Sequence, residues 1–527
     1  MTQIELNEGF LKALDLMENT DKNVFVTGRA GTGKSTLLTY FQQNTNKKVV
    51  VLAPTGVAAL NVRGQTIHSF FGFKPNVTLE QIKKINTPKG SSSIYKKIDT
   101  IVIDEVSMVR ADLLDCVDRF LRLNGPKKKL PFGGIQMIFI GDLYQLPPVV
   151  TKNEKEVFKT IYESPYFYSA KVFDSLDFEF IELDKIYRQH DQRFIDLLGA
   201  IRNKTVTDED MKLLNSRVMP DFEPDPNEFF VYLTTTNKRA EEINEQQLSK
   251  LKGTTYIFKG AIKGEFGNDY LPTAPELKIK VGAQIMLLNN DSLGRWVNGS
   301  IGKIVDIYRD TLEDESKESY IIVAELSDGS EVEITPHTWE IFHLYVEGDK
   351  LKSQTIGKFT QYPIMLAWAV TIHKSQGKTF DKVIIDIGRG AFAHGQVYVA
   401  LSRCKSLEGI ILKKPIKREH IWMDWDVVHF LTRCQYKKAE EALSLQDKIE
   451  LIKKAISEGM PLEIIYLKPN NEKNTRIVRP IEVGDMEYKG KKYIGMRAFC
   501  NFRQEERIFR VDRILKLKVL KEQVVQM

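Results

Sequence analysis

The feature that most constrains the fold is a glycine-rich stretch between an apolar run and a helical pattern. Residues 24–36 read VFVTGRAGTGKST, and LLTYFQQ follows with helical character. A strand, a GxxxxGK[ST] loop and a helix in this order form a phosphate-binding loop, because the glycines let backbone N–H groups curl around phosphate oxygens and the helix N-terminus adds its positive end. We therefore expect a parallel α/β sheet with a nucleotide site at its edge.

The residue types in this loop predict which groups hold the nucleotide. Lys34 is expected to reach the β- and γ-phosphates of ATP, and the Ser35 hydroxyl is expected to bind Mg²⁺. The other loop residues expected to contact the nucleotide are Gly28, Ala30, Gly31, Thr32, Gly33 and Thr36.

A second apolar run ends in two adjacent carboxylates. IDTIVIDEVSMV, residues 98–109, carries Asp104 and Glu105 directly after its strand-like segment. Beside a phosphate-binding loop, Asp104 is expected to hold Mg²⁺ and Glu105 to act as general base on the attacking water. Capping of a helix N-terminus is the alternative role for such a pair.

A third apolar run ends in the loop IGDLYQLPPV, residues 140–149. If this run is a parallel neighbour of the first two, Gln145 emerges at the same sheet edge as Lys34 and Asp104. A glutamine there can hydrogen-bond the γ-phosphate, and the rigid Leu146-Pro147-Pro148 segment can carry that signal to a ligand above the sheet. Such a lever suits a motor better than a kinase.

The bulk composition excludes several classes of protein. The length of 527 residues predicts several domains, and 42% hydrophobic with 28% charged residues is typical of a globular protein. No apolar run has the length of a membrane span, and no secretory signal is expected. The cysteines form no CxxC pair, which predicts reduced thiols and no zinc site.

The excess positive charge lies near the C-terminal end. Residues 445–527 contain 18 Lys and Arg against 12 Asp and Glu, which accounts for the whole net charge of +6. Clustered basic charge predicts a polyanionic partner, and a solvated surface without a partner is the alternative.

The second half of the chain predicts another α/β unit with an all-β insert. VYLTTTNKRAEEIN, residues 231–244, reads as a strand before a helix, and a helix-like apolar run precedes HKSQG, residues 373–377. Alternating segments between Gly, Asp and Asn turns predict a small antiparallel β-barrel over residues 265–360. HGQVYVALSRCKS, residues 394–406, predicts Arg403 near a helix end, where it can neutralise charge on a transferring phosphate.

Several polar and aromatic residues are candidates for contacts to nucleic acid. They are Thr55 and Gly56 in APTG, His68 and Phe71 in TIHSFF, and His373 and Lys374 in HKSQG. The phenylalanines of TIHSFF can stack on bases or pack in the core. Gln376 and Gly377 are expected to face the nucleotide.

Together these motifs resemble the Pif-type (petite integration frequency) superfamily 1B DNA helicases, with RecD-like enzymes as relatives. The resemblance covers about residues 5–435 and is carried by GRAGTGKST, APTGVAAL, TIHSFF, IDEVSM, PFGGIQMIFIGDLYQLPPV, LDKIYRQ, LTTTNKRAEEIN, LAWAVTIHKSQGKTFD and VYVALSRCKSL. It implies two RecA-like domains with ATP between them and 5′→3′ translocation on single-stranded DNA. It also implies unwinding of tailed or forked duplexes, and activity on G-quadruplexes, in replication, repair or recombination.

The same resemblance divides the chain and assigns further residues. It implies RecA-like domains over 1–190, with a small insertion at about 64–97, and over 191–264 with 361–435, around an SH3-like β-barrel at 265–360. Lys34, Ser35, Asp104, Glu105 and Gln145 keep the roles given above. Arg188, on a helical stretch, and Arg403 are implied to contact the γ-phosphate. The residues implied to line the DNA path are Thr55, His68, Pro147, Asn237 and His373.

One position departs from the pattern of this family. Where these helicases often carry an adenine-reading glutamine upstream of the phosphate-binding loop, this sequence has Phe10. Phe10 is expected to stack on the base instead, which leaves the preference for ATP over other nucleotides open.

The C-terminal region, residues 445–527, resembles a WYL domain, a small β-rich fold found mainly in bacterial regulators. The triplet that names this domain is Lys492-Tyr493-Ile494 here, so only the tyrosine is kept. A basic surface for a second nucleic-acid or nucleotide ligand is predicted, formed by Tyr493, Arg503, Arg507, Arg510 and Arg513. Exposed strand faces without a ligand are the alternative.

The WYL resemblance implies a bacterial cytoplasm, with association with the nucleoid. A monomer without membrane contact is expected. Two other classes stay open. One is an ATP-switched DNA-binding translocase or regulator that does not separate strands. The other is a small-molecule P-loop kinase or free NTPase, which the paired arginines and TIHSFF argue against.

Overall fold

The structure, a computed structural model, describes residues 7–74, 76–85, 94–150, 152–309, 320–347, 350–388 and 393–520. The chain forms two compact units, Met1–Trp422 and Met423–Met527. Among the described residues, no helix combines the length and the apolar character that crossing a membrane requires.

The described residues of the first unit begin with a lobe of six strands and six α-helices. Its strands are β1 Asn23–Gly28, β2 Val49–Ala53, β3 Gln65–Thr66, β4 Thr100–Ile103, β5 Gln136–Ile140 and β6 Phe178–Leu183. Its helices are α1 Glu8–Asn19, α2 Lys34–Asn44, α3 Gly56–Asn61, α4 Ile67–Phe71, α5 Ala111–Asn124 and α6 Lys152–Ile161.

The strands of the first lobe form one parallel sheet in the order β3-β2-β4-β5-β1-β6. Strands β4 and β5 are completely buried, which fits their unbroken apolar sequences. Strand β5 pairs with both β1 and β4, so the run before IGDLYQ is the third parallel strand, as predicted. Because parallel strands end at one edge of a sheet, the loops after β1, β4 and β5 lie together.

The rest of the first unit contains a second lobe and an all-β insert. The helices, all in the second lobe, are α7 Gln192–Arg202, α8 Asp208–Asn215, α9 Asn237–Lys250 and α10 Gln396–Leu401. The strands are β7 Phe230–Thr234, β8 Tyr256–Lys259, β9 Ala261–Gly264, β10 Glu276–Ile279, β11 Gln284–Leu287, β12 Ile301–Arg309, β13 Tyr320–Leu326, β14 Glu331–Ile334, β15 His337–Glu347, β16 Lys350–Gln361, β17 Ile364–Leu366, β18 Ala369–Thr371, β19 Lys382–Asp386 and β20 Ile410–Leu412.

The second lobe is built on a parallel sheet in the order β18-β7-β19-β20. The apolar run before HKSQG was predicted to be helical, and that prediction is wrong. The run forms β17 and β18 instead, and Ala369 to Thr371 pair with Tyr232 to Thr234 of β7. The physical reason is burial: all three β18 residues lie inside the lobe, where a continuous apolar strand needs no alternation.

The insert, β8–β17, is antiparallel, as predicted, but its described strands do not close into a barrel. Five strands pair in the open order β14-β13-β12-β11-β17, and β15-β16-β9 and β10-β8 form separate sheets. The insert also extends beyond residues 265–360, because β8, β9 and β17 pair with its strands. Tyr256 and Phe258 of β8 pack into the same core as Trp296 and Ile304, which explains the earlier start.

One asparagine of the insert is bonded to both lobes. The Asn298 side chain accepts a hydrogen bond from Lys378 Nζ of the second lobe, and its Nδ2 donates to Asn61 Oδ1 of the first lobe at 2.8 Å. Nearby, the hydroxyls of Thr66 and Tyr270 lie 2.6 Å apart, again joining the first lobe to the insert. We call the Lys378–Asn298–Asn61 contact the asparagine bridge.

The second unit is a small α+β fold. Its elements are α11 Trp425–Ala442, α12 Leu445–Ser457, β21 Leu462–Leu467, β22 Lys473–Tyr488, β23 Lys491–Cys500, β24 Glu505–Arg510 and β25 Ile514–Val519. The strands form one antiparallel sheet in the order β24-β23-β22-β21-β25, and Ile452 of α12 packs into its core with Ile464 and Met496. Because α11 packs against β25, the unit begins at Met423, well before residue 445.

Candidate nucleotide site and nucleic-acid interface

The phosphate-binding loop has the predicted strand–loop–helix context. It runs from Gly28 at the end of β1 to Lys34 at the start of α2. Gly31 and Gly33 have φ angles of +80° and +88°, a left-handed conformation that residues with a side chain rarely adopt. Ser35 and Thr36 are exposed in the first helical turn, so their hydroxyls are accessible at the mouth of the loop.

Lys34 lies among acidic groups at the sheet edge. Its Nζ donates hydrogen bonds to the carbonyl oxygens of Gly28 at 2.8 Å and Arg29 at 3.0 Å. Burial lowers the pKa of Lys34, and the carboxylates of Asp142 and Glu105 act in the opposite direction. The loops after β1, β4 and β5 therefore bring their charged groups together.

The carboxylate pair follows β4. Asp104 is 9% exposed, and Glu105 has a φ of +49°, which is strained for a residue with a side chain. Burial raises the pKa of both carboxyl groups, and Glu105 raises that of Asp104 further. Glu105 precedes the 3₁₀ turn Val106–Met108, and its side chain does not cap that turn. The N-cap alternative is therefore not supported by the geometry.

The loop after β5 is covered by the second lobe. Gln145 is 6% exposed, and its Nε2 lies 3.5 Å from Asp142 Oδ2. A Cβ added at Gly395, just before α10, would lie only 2.4 Å from the Tyr144 carbonyl oxygen and 2.5 Å from that of Gln145. Only a glycine allows this approach of α10 to the loop, which couples Gln145 to the second lobe.

Arg403 follows α10 and is buried in the cleft. It is 1% exposed, and its Nε and Nη1 donate to the carbonyl oxygens of Val399 at 2.9 Å and Ser375 at 3.3 Å. Burial lowers the pKa of Arg403 to about 9, and the charge of Arg188 lowers it too, whereas Glu105 acts in the opposite direction. The second lobe thus presents a guanidinium within electrostatic reach of Glu105.

Arg188 lies on a loop between β6 and α7, so the predicted helical stretch is wrong. The adjacent Tyr187 N–H donates to the Gly31 carbonyl oxygen at 2.8 Å, a bond to the phosphate-binding loop that replaces a helical one. Arg188 Nη1 donates to the Ser402 carbonyl oxygen at 3.1 Å. Arg188 therefore reaches from the phosphate-binding loop to the residue before Arg403.

Phe10 is not available to stack on a base, so that prediction is wrong. It is 3% exposed and packs edge-on against Tyr40, because it shares the buried face of α1 with Ala13 and Met17. Tyr187, which sequence reasoning missed, has the exposed ring instead. Its ring is 37% exposed and would lie 3.9 Å from a Cβ added at Gly33.

Most residues assigned to the DNA path lie at accessible ends of strands and helices. Thr55, Asn237, His373 and Lys374 are exposed, Pro147, His68 and Gln376 are half-buried, and Gly377 is exposed with a φ of +74°. Gly56 is buried at the start of α3. His68 lines a cavity of about 240 Å³ with Arg110 and Glu154.

Phe71 does not belong to an accessible DNA surface. It is 4% exposed, and its ring contacts the rings of Phe70, Phe73, Tyr95 and Phe120. Its assignment to DNA is therefore wrong in this arrangement, and the packing alternative for this phenylalanine is confirmed. The cause is the phase of α4, which turns Phe71 toward α5.

The arginines predicted to form one basic surface in the second unit do not share one face. Arg507 and Arg510 are three residues apart on β24, so their side chains point to opposite faces of the strand. Arg510 is paired with Asp512 at 2.6 Å and stands over the half-buried Tyr493 ring. Arg513 is half-buried, and the exposed Arg507 lies 3.7 Å from Glu505.

A different cationic and aromatic group is exposed in this unit. Phe502, in the turn between β23 and β24, is 68% exposed. The guanidinium carbons of Arg476 and Arg503 lie 4.3 and 5.7 Å from its ring centroid. We call these three residues the Phe502 patch.

Known proteins share this arrangement. The ATP-dependent DNA helicase Pif1 of Bdellovibrio bacteriovorus is 32% identical over 439 residues, covering 81% of this chain and 92% of that protein. The structure of Bacteroides sp Pif1 in complex with ADP-AlF4 matches with a TM-score of 0.71 and 36% identity, over 82% of this chain and 98% of that one. Bacteroides Pif1 bound to ssDNA matches with a TM-score of 0.58 and 37% identity, over 81% and 96%.

Two family profiles divide the chain. The PIF1-like helicase profile matches residues 7–212, and the WYL domain profile matches residues 447–519. A phosphate-binding loop on a parallel sheet, facing buried arginines of a second parallel lobe, defines a two-lobed P-loop ATPase. The chain belongs to the PIF1-like helicase family. The predicted RecA-like architecture and the C-terminal WYL domain are confirmed.

Proposed function

We propose that this chain is an ATP-dependent DNA helicase that translocates 5′→3′ on single-stranded DNA and unwinds tailed or forked duplexes. The observation that carries the proposal is the cleft itself. Glu105 of the first lobe interacts electrostatically with Lys34 and with the buried Arg403 of the second lobe. A site shared between two lobes can convert hydrolysis into relative movement, which a site within one lobe cannot.

The residues of the cleft divide the work of hydrolysis. Lys34 binds the β- and γ-phosphates, and Glu105 takes a proton from the attacking water, for which its raised pKa prepares it. Arg188 and Arg403 neutralise charge on the transferring phosphate. Ser35 and Asp104 offer the hydroxyl and carboxylate oxygens that suit Mg²⁺, which would supply further charge neutralisation.

The DNA path follows from the exposed residues at the strand and helix ends. Thr55, Asn237, His373 and Lys374 are accessible polar groups on both lobes. Pro147, two residues after Gln145, links this path to the γ-phosphate. When the lobes move apart and together, the two sets of contacts alternate their hold on the strand.

The function is tested by ATP-dependent unwinding of two duplexes, one with a 5′ single-stranded tail and one with a 3′ tail. We expect unwinding of the 5′-tailed duplex alone. If neither duplex opens while DNA still stimulates hydrolysis, the chain is a translocase or an ATP-switched regulator. A rate of ATP hydrolysis that is the same with and without DNA would favour a free NTPase or a kinase.

Tyr187 is proposed to stack on the base of the nucleotide in place of Phe10. Replacing Tyr187 with alanine is expected to raise the KM for ATP roughly tenfold, since stacking on an aromatic ring is worth about 1–3 kcal/mol per base. The kcat should change little, because the ring does not reach the transferring phosphate. A Phe10→Ala chain is the control. This substitution should lower the thermal stability, because Phe10 lies in the core. An unchanged KM in Tyr187→Ala would remove the ring from the base site.

We infer a second function for the WYL unit, which is binding of single-stranded nucleic acid at the Phe502 patch. An exposed ring flanked by two guanidinium groups offers both stacking and phosphate contacts. Replacing Phe502 with alanine is expected to weaken binding of a single strand roughly tenfold. Replacing Arg476 with alanine should also reduce the slope of log affinity against log salt by about 1.

The matched control for this patch is Tyr488→Ala. Tyr488 is 65% exposed in the same unit and lies beside Lys489, so it tests the loss of an exposed aromatic ring in general. Equal losses in the two variants, or none in either, would assign the patch to a solvated surface.

A further inference from the structure

Tyr398 is a buried group of the second lobe that reaches into the phosphate-binding loop of the first. It lies on α10 and is 4% exposed. Its hydroxyl oxygen accepts a hydrogen bond from the Ala30 backbone N–H at 3.0 Å and lies 3.4 Å from Asp142 Oδ2. Burial, with the Asp142 carboxylate second, raises the pKa of Tyr398 to about 12, so the hydroxyl stays protonated and donates a hydrogen bond to Asp142.

The bond to Ala30 uses a backbone N–H group of the phosphate-binding loop. Ala30 belongs to the GRAGTGKST loop, whose backbone N–H groups are the donors that a P-loop turns toward phosphate oxygens. While the Tyr398 hydroxyl holds this N–H, a phosphate oxygen cannot. Binding of phosphate and this contact between the lobes are therefore competing states of one donor.

Asp142 connects the same hydroxyl to the residue proposed to sense the γ-phosphate. Its Oδ2 faces both Tyr398 and Gln145 Nε2, the latter at 3.5 Å. Its Oδ1 accepts from Arg202 Nη2 at 3.4 Å and from the Tyr144 N–H at 3.1 Å. Arg202 also stands 3.9 Å over the Tyr144 ring, so the carboxylate is fixed from its far side.

We propose that Tyr398 is a positioning residue that bridges the phosphate-binding loop and Asp142, yields the Ala30 N–H to a phosphate oxygen when ATP binds, and keeps its bond to Asp142. The inference rests on the proposed hydrolysis in this cleft. In the loaded state, the Tyr398–Asp142 bond then holds Gln145 in place and joins the lobes. When a phosphate oxygen displaces the Tyr398 hydroxyl from Ala30, nucleotide binding changes a contact between the phosphate-binding loop and the second lobe.

The test is the variant Tyr398→Phe, which keeps the ring and removes the hydroxyl. Without the competitor, the dissociation constant for ATP, measured by equilibrium titration of a fluorescent ATP analogue, is expected to fall roughly threefold to tenfold. The kcat for DNA-stimulated hydrolysis is expected to fall about tenfold, because Asp142, the partner of Gln145, loses its hydrogen bond from Tyr398. Tighter binding with slower turnover is a split that damaged packing would not produce, since damage weakens binding.

The control is Tyr362→Phe, which removes another buried tyrosine hydroxyl, one that donates to the Tyr320 carbonyl oxygen within the insert. Its nucleotide affinity should match that of the unchanged chain. Unchanged or weaker ATP binding in a folded Tyr398→Phe chain would overturn the proposal. Because affinity is measured at equilibrium, this result is independent of unwinding: a chain that opens no duplex would refute the helicase and leave the role of Tyr398 testable.

Discussion

Replacing Lys34 with alanine should reduce the rate of ATP hydrolysis by at least roughly 10³-fold. Removing a donor that stabilises charge developing in the transition state has an effect of this size. Its ammonium interacts electrostatically with the carboxylates of Asp142 and Glu105. Steady-state release of phosphate with saturating single-stranded DNA measures the loss. Binding of single-stranded DNA without nucleotide should remain measurable, because Lys34 lies at the sheet edge and not among the exposed DNA candidates.

The control for this prediction is Lys22→Ala. Lys22 is an exposed lysine of the same lobe, paired with Glu179 at 2.6 Å, and its loss should leave turnover unchanged. Substantial turnover in the Lys34→Ala chain would place the hydrolytic site elsewhere.

Replacing Arg403 with lysine should lower kcat by about 10³-fold or more, the range found for arginines that stabilise a transferring phosphate. A lysine keeps the charge but cannot make the set of bonds to the Val399 and Ser375 carbonyl oxygens that fixes the guanidinium. The KM for ATP should change far less than kcat, because the arginine acts mainly on charge that develops in the transition state.

Arg217→Lys is the matched control. Arg217 also lies in the second lobe and bonds to backbone carbonyl oxygens, those of Ile410 and Glu408, but away from the cleft. If Arg403→Lys and Arg217→Lys lose activity to the same extent, the loss comes from the fold of the lobe and Arg403 does not act on the transferring phosphate.

The nucleotide site could be predicted because each of its parts is local in sequence. Strand, loop and helix follow one another in GRAGTGKST, and parallel strands carry Asp104 and Gln145 to the edge that holds Lys34. The position of Arg403 could be predicted for the same reason, because it follows a short helix within one motif. These roles depend on backbone topology, which periodicity in the sequence reveals.

The failures at Phe10, at Phe71 and among the β24 arginines concern which way one side chain faces. Phe10 and Phe71 are aromatic residues in the expected motifs, but the phase of α1 and α4 turns both into the core. The β24 arginines failed similarly, because a strand alternates its faces and Asp512 neutralises one of them. Tyr398, Asp142 and Arg202 meet only when the lobes are assembled, and Arg202 lies in no motif at all. The sequence signal that could have pointed to Tyr398 is its place in VYVALSR, the same motif that contains Arg403.

The asparagine bridge couples movement of the insert to movement of the two lobes. Since Asn298 holds Asn61 and Lys378 at once, any change in the gap between the lobes must either break one of these bonds or drag the insert along. Binding a DNA strand and translocating along it then have separate energetic costs. An Asn298→Ala chain should load DNA faster than the unchanged chain, while its rate of ATP hydrolysis should be similar. The side-chain amide of Asn298 would then control the rate of DNA loading.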